Sequence, residues 1–176
     1  MINYNEISRK TVYNGKRVKV EEVRYKNGNM EIYREHVIQG DSVVILPITD
    51  DGYIIMIKEP RTAIDNIVFG LPAGQLEKDE EPEIGAKREL QEETGYIAGN
   101  IEVMRSFYPS CGYSSEKITI FLATNLKMGK RHLDDTEDIE VVKIKLESAK
   151  KMLDEGKIST ASSTIALFHY FCYVKN

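Results

Sequence analysis

Two apolar runs, Val43-Val44-Ile45-Leu46-Pro47-Ile48 and Tyr53-Ile54-Ile55-Met56-Ile57, constrain the fold more than any other feature of this chain. Their near-continuous apolarity reads as strands buried on both faces. With Asp50-Asp51-Gly52 between them as a turn, they are expected to form a hairpin at the centre of the core. A chain of 176 residues suits one core. At this size about 70% of the unfolded surface is buried, so neither a disulfide nor a structural metal is required. The two cysteines, Cys111 and Cys172, form no CxxC pair and read as inert thiols.

Around this centre the punctuation is legible. Lys16 to Val23 alternates loosely, Lys26-Asn27-Gly28-Asn29 carries an Asn-Gly turn signal, and Met30–Ile38 follows, giving a small antiparallel sheet. From Glu80 to Gly95 the pattern turns helical, with Pro82 early, acidic residues in the first turn and Gly95 as a left-handed cap. Strands are expected over Ile101–Tyr108, Ile118–Leu126 and Ile139–Leu146, then helices over Glu147–Glu155 and Thr160–Tyr173. This order predicts a mixed sheet covered by helices, preceded by a β extension.

Charge excludes some functions and concentrates attention on one segment. The net charge of -4 argues against a large nucleic-acid footprint. No run approaches the roughly 18 apolar residues of a membrane span, and the start lacks a basic, then apolar, leader pattern, so a cytoplasmic protein is expected. Glu77 to Glu93 holds eight carboxylates and three cations, which leaves the rest of the chain close to neutral. Glu89, Glu92 and Glu93 stand at i, i+3 and i+4, on one side of a helix. Like charges so spaced repel, and a hard divalent cation is one natural way to neutralise them. The other reading is a solvated acidic helix.

The stretch from Gly74 to Tyr96 resembles the Nudix box: Gly74, five residues, Glu80, seven residues, then Arg88-Glu89-Leu90-Gln91-Glu92-Glu93-Thr94-Gly95 and an apolar position filled by Tyr96. The resemblance implies an α/β (α+β) fold, a Nudix-type α/β/α sandwich with a mixed sheet and an N-terminal antiparallel β extension. It implies Mg2+, with Mn2+ as the other candidate, two or three ions held by Glu89, Glu92, Glu93 and the Ala73 carbonyl. Arg88 would order the glutamates by ion pairing, and Glu80 would support the loop. The reaction implied is metal-assisted attack of water on the diphosphate of a nucleoside diphosphate-linked small molecule.

Beyond the box, Tyr33-Arg34-Glu35, Ile57-Lys58-Glu59-Pro60-Arg61, Leu71-Pro72-Ala73-Gly74 and Asp138-Ile139-Glu140-Val141 resemble the ADP-ribose pyrophosphatase group. That group is typically homodimeric, with swapped N-terminal strands. The analogy divides the chain into a dimerising extension over 1–40 and a Nudix hydrolase domain over 41–176, with no nucleic acid or membrane partner. It makes Arg34, Arg61, Gly112 and Glu116 candidates for substrate binding, since a guanidinium grips phosphate or stacks on a base. Glu137 is the first candidate for general base or further metal contact, and Asp135 the second. Two departures leave the substrate open: Cys111 stands where the group has proline, and Pro60 where it commonly has an aromatic. GDP-sugars and dinucleoside polyphosphates are therefore alternative substrates, and a non-catalytic nucleotide-sugar-binding module is the alternative of a different class.

Overall fold

A computed structural model describes residues 4–133 and 137–175. The chain divides into two compact units, one of Met1–Asp41 with Tyr108–Lys117, the other of Ser42–Phe107 with Ile118–Asn176.

The first unit is a three-stranded antiparallel sheet in which β2 (Lys19–Asn27) lies between β1 (Asn5–Asn14) and β3 (Met30–Ile38). The β2–β3 turn closes on the pair Asn27 and Met30, so its central residues are Gly28 and Asn29. Gly28 takes φ 60°, the positive first position that a type II′ hairpin turn needs. The turn is thus one residue later than the Asn-Gly signal suggests. Tyr108–Lys117 joins this unit through hydrogen bonds: the Val37 N–H donates to Tyr113 O at 2.8 Å, and the Ser115 N–H donates to Val37 O at 3.0 Å.

The second unit contains two sheets. One is mixed, in the order β7 (Ala73–Gln75), β4 (Ser42–Pro47), β9 (Ile118–Met128), β8 (Tyr96–Phe107), with β4 and β9 parallel. The other is antiparallel, with β5 (Tyr53–Arg61) between β10 (Glu140–Lys145) and β6 (Asn66–Gly70). The expected hairpin of the two apolar runs is therefore not formed. Beyond one bridge between Ile48 and Ile54, β4 and β5 pair in different sheets.

Packing explains why both runs are apolar throughout. Val43 and Ile45 of β4 join Phe121 and Ala123 of β9 against Ala86 and Leu90 of α1 (Pro82–Thr94). The alternate residues Val44 and Leu46 join Ile54 and Met56 of β5 in the larger cluster. That cluster also takes in Leu146, Ala149 and Leu153 of α2 (Leu146–Asp154) and Ala166 and Leu167 of α3 (Ala161–His169). Successive side chains of a strand point to opposite faces, so a strand with a core on each side has no polar face. Among the described residues, no helix is long and apolar enough to cross a membrane.

Candidate active site

Helix α1 starts and stops where local chemistry dictates. Pro82 occupies the first turn, where its missing N–H costs nothing, and Glu83 lies at the positive end of the helix dipole. Gly95 ends the helix at φ 78°, its N–H donating to Gln91 O at 2.8 Å. Ala86 and Leu90 face the core, and the same rotation of the helix buries Glu89 and Glu93, at 8% and 4% exposure. Glu92, with its side chain 38% exposed, lies toward solvent. The three glutamates share one side of the helix, yet only two are withdrawn from water.

The loop before the helix is shaped around those carboxylates. Gly74 pairs with Val43 at the edge of the mixed sheet, and a Cβ on it would lie 2.1 Å from the Glu89 carboxyl carbon. The box glycine is thus a steric requirement. Gly85 does the same on the helix, where a Cβ would come within 2.4 Å of the Leu76 side chain and 2.9 Å of Glu80 Oε2. Arg88 connects loop to helix: it donates to both oxygens of Glu80 at 2.8 Å, to Glu89 Oε1 at 2.7 Å and to Glu92 Oε2 at 2.9 Å. Its hydrogen bonds hold the Glu80 carboxyl below the usual carboxylate range. A planar guanidinium with five N–H donors can make these four bonds at once, whereas the three donors of a lysine could not.

Glu93 is held differently. Its Oε2 accepts the Ala73 N–H at 3.0 Å. Burial pushes its carboxyl up to about 9; the Ala73 N–H works against this, while the like charges of Glu89, Glu59 and Glu137 add to it. Burial also raises Glu89 and Glu59, and Glu137 pushes both in the same direction. Glu59 and Glu137 therefore belong to the same electrostatic neighbourhood as the helix glutamates.

Glu59 is the residue that sequence reasoning missed. It lies near the end of β5, its side chain only 13% exposed and ion-paired with Arg61 at 2.5 Å. An isolated carboxylate just after the apolar run Ile54 to Ile57 was the available signal. Asp135 lies outside the described residues.

All of these donors are oxygen, Glu89 and Glu93 among them are buried, and they outnumber the two arginines beside them, which fits a hard divalent cation. Among the described residues, no three such side chains already close around one point as ligands to a metal would. The hydrogen bonds account for this: Glu89 and Glu92 turn onto Arg88, and Glu93 onto the Ala73 N–H.

The substrate-binding candidates fall in separate places. Arg34 and Gly112 line one cavity of about 600 Å³ in the first unit, with Tyr33, Glu35 and Tyr113. Glu116, in the same unit, accepts from Gln39 Nε2 at 2.8 Å. Arg61 lines a smaller cavity of about 280 Å³ where β5 meets β6, beside Pro60 and Asp65.

The NUDIX domain family model matches residues 39–164. The chain belongs to the Nudix family. This Nudix hydrolase is 38% identical over 165 residues to the ADP-ribose pyrophosphatase of Bacillus subtilis (strain 168), covering 92% of this chain and 89% of the relative. It is 32% identical to the methanol dehydrogenase activator of Bacillus methanolicus over the same shares of both chains. A crystal structure of an ADP compounds hydrolase superposes with a TM-score of 0.86 at 24% identity, covering 96% of this chain and 92% of that one, and shows the fold. The chain is thus a Nudix pyrophosphohydrolase related to ADP-ribose pyrophosphatases, in a family that generally uses divalent metals.

Proposed function

We propose that this Nudix hydrolase cleaves the diphosphate of ADP-ribose or a similar nucleotide sugar, adding water to give a nucleoside monophosphate and a sugar phosphate. The observation that carries the reading is the group of carboxylates Glu59, Glu89, Glu93 and Glu137, with Glu89 and Glu93 buried, Glu59 half-buried and Glu137 exposed, whose like charges call for cations. The 38% identity to an ADP-ribose pyrophosphatase supports the substrate class.

Glu89, Glu92, Glu93 and the Ala73 carbonyl would hold Mg2+ or Mn2+, in two or three ions. Bound there, the metal would offset charge on the diphosphate and lower the pKa of water. Arg88 offsets the repulsion between Glu89 and Glu92 and orients both, through the bonds one of its nitrogens makes to each. Glu137 takes the proton of the attacking water, with Asp135 as second candidate. Arg34, Arg61, Gly112 and Glu116 contact the nucleotide and sugar. Residues 1–40 serve dimerisation with exchanged strands, and 41–176 form the hydrolase domain.

The test is incubation with ADP-ribose and magnesium, following AMP by chromatography, alongside a panel of nucleotide sugars and dinucleoside polyphosphates. Turnover is expected for ADP-ribose and absent in Glu93→Gln. No product from any nucleotide sugar would overturn the substrate reading, and unchanged turnover in Glu93→Gln would overturn the metal assignment. A solution mass equal to one chain would count against the dimer.

A further inference from the structure

The carboxyl end of α1 is bonded to a stretch of chain distant in sequence. The Gly129 N–H donates to Gly95 O at 2.7 Å, the His132 N–H to Glu92 O at 3.3 Å, and Gln91 Nε2 to Lys130 O at 3.3 Å. Arg131 makes the connection that reaches furthest. Its Nε donates to Glu93 O at 2.5 Å, and its Nη2 donates to Ile139 O at 2.7 Å. One guanidinium therefore ties the last turn of the helix to the residue that follows Glu137 and Asp138.

Each part has a physical reason. The final carbonyls of a helix lack intrahelical partners and form the negative end of its dipole, so a cation is favoured there. The fork of a guanidinium can serve two carbonyls with different directions. Ile139 is buried, so the far end of this bridge is anchored in packed structure.

We propose that Arg131 is a positioning residue, which holds the segment carrying Glu137 against the carboxyl end of α1. It thereby sets where Glu137 lies relative to Glu89 and Glu93. One helix then carries two functions: its buried side presents the metal carboxylates, and its end fixes the stem of the base. The catalytic consequence rests on the proposed role of Glu137; the structural bridge does not.

The variants Arg131→Ala and Arg131→Lys test this. Hydrogen exchange should quicken at the Ile139 and Glu140 amides in Arg131→Ala, whatever the activity, and unchanged exchange there would overturn the bridge. With ADP-ribose and magnesium, kcat should fall roughly tenfold or more while KM stays within about twofold, because a displaced base slows chemistry without loosening substrate. The pH profile of kcat should shift on its acidic limb. Arg131→Lys, which keeps the charge and can reach one carbonyl, should fall between wild type and alanine, and it serves the test if the alanine variant does not fold. In a Glu137→Gln background, Arg131→Ala should cost almost nothing further. A full additional loss there would overturn the proposal, as would an unchanged kcat. A wild type that hydrolyses nothing, or a Glu137→Gln variant with full kcat, would instead overturn the functional reading, and the exchange result would still decide the bridge.

Discussion

Gly74→Ala is the most discriminating change for this site, because a single methyl group meets a single obstacle. The added Cβ would lie 2.1 Å from the Glu89 carboxylate, whereas ordinary contact begins near 3.4 Å. Gly74 is not among the glycines with positive φ, so alanine incurs no backbone strain and the cost is steric. Glu89 cannot step aside freely, since it is buried and accepts from Arg88 at 2.7 Å. The alternative is for β7 to move off β4, loosening the pairing of Gly74 with Val43. Overpacking of this kind costs about 1–3 kcal/mol. For a chain of this length each kcal/mol lowers Tm by about 2–4 °C, so a fall of roughly 2–12 °C is expected in a thermal melt. Hydrolysis should drop on the order of 100-fold, since displacing an active-site group by an ångström has that effect. A wild-type Tm with wild-type turnover would refute the reasoning. So would a full loss of Tm on making Gly74→Ala in a Glu89→Ala background, where the obstacle has been removed and the cost should largely vanish.

Arg88→Ala should destabilise the protein by about 1–3 kcal/mol in a urea titration, because Glu80, Glu89 and Glu92 lose their shared partner and repel. Without metal, the Tm should fall as pH rises from about 5 to 9. The raised carboxyls, Glu93 at about 9 and Glu59 and Glu89 in the same direction, keep protons in the folded chain that the unfolded chain releases above its ordinary value of 4.5, so folding is progressively disfavoured across that window. Magnesium should flatten the slope, and a metal-free Tm that climbs with pH would contradict the carboxylate assignment. Gly95→Ala should cost about 1 kcal/mol in a thermal melt, because φ is 78° and the new Cβ would come 3.4 Å from that of Arg131.

The box helix was legible because its signals are local: Pro82 and Gly95 mark its ends, and the spacing of three glutamates marks its side. Strand β1 was not legible, since all ten of its residues are exposed and its side chains show no apolar alternation. Strand β7 is three residues long, too short to carry a period, and exists because Val43 and Val44 offer it an edge. The pairing of the two apolar runs failed for a related reason. Apolarity reports how deeply a strand is buried, whereas its partner is set by distant chain: Ile118 to Ala123 for β4, and Glu140 to Lys145 for β5. In the site, Glu89, Glu92 and Glu93 announced themselves by number. Glu59 stands alone between Lys58 and Pro60, and Arg131 acts through backbone carbonyls, so no spacing rule finds either.

The membership of Tyr108–Lys117 in the first unit bears on how the chain can be shortened. Those residues enter between β8 and β9, in the middle of the sequence, but their backbone and side chains are satisfied by Val37, Gln39 and Asp41. A chain begun at Ser42 would keep both core clusters of the second unit and still expose ten residues stripped of their partners. The N-terminal sheet is therefore no detachable tail. Trimming it would create a protease-sensitive loop inside the remaining domain, and limited proteolysis of such a shortened protein should cut first between β8 and β9.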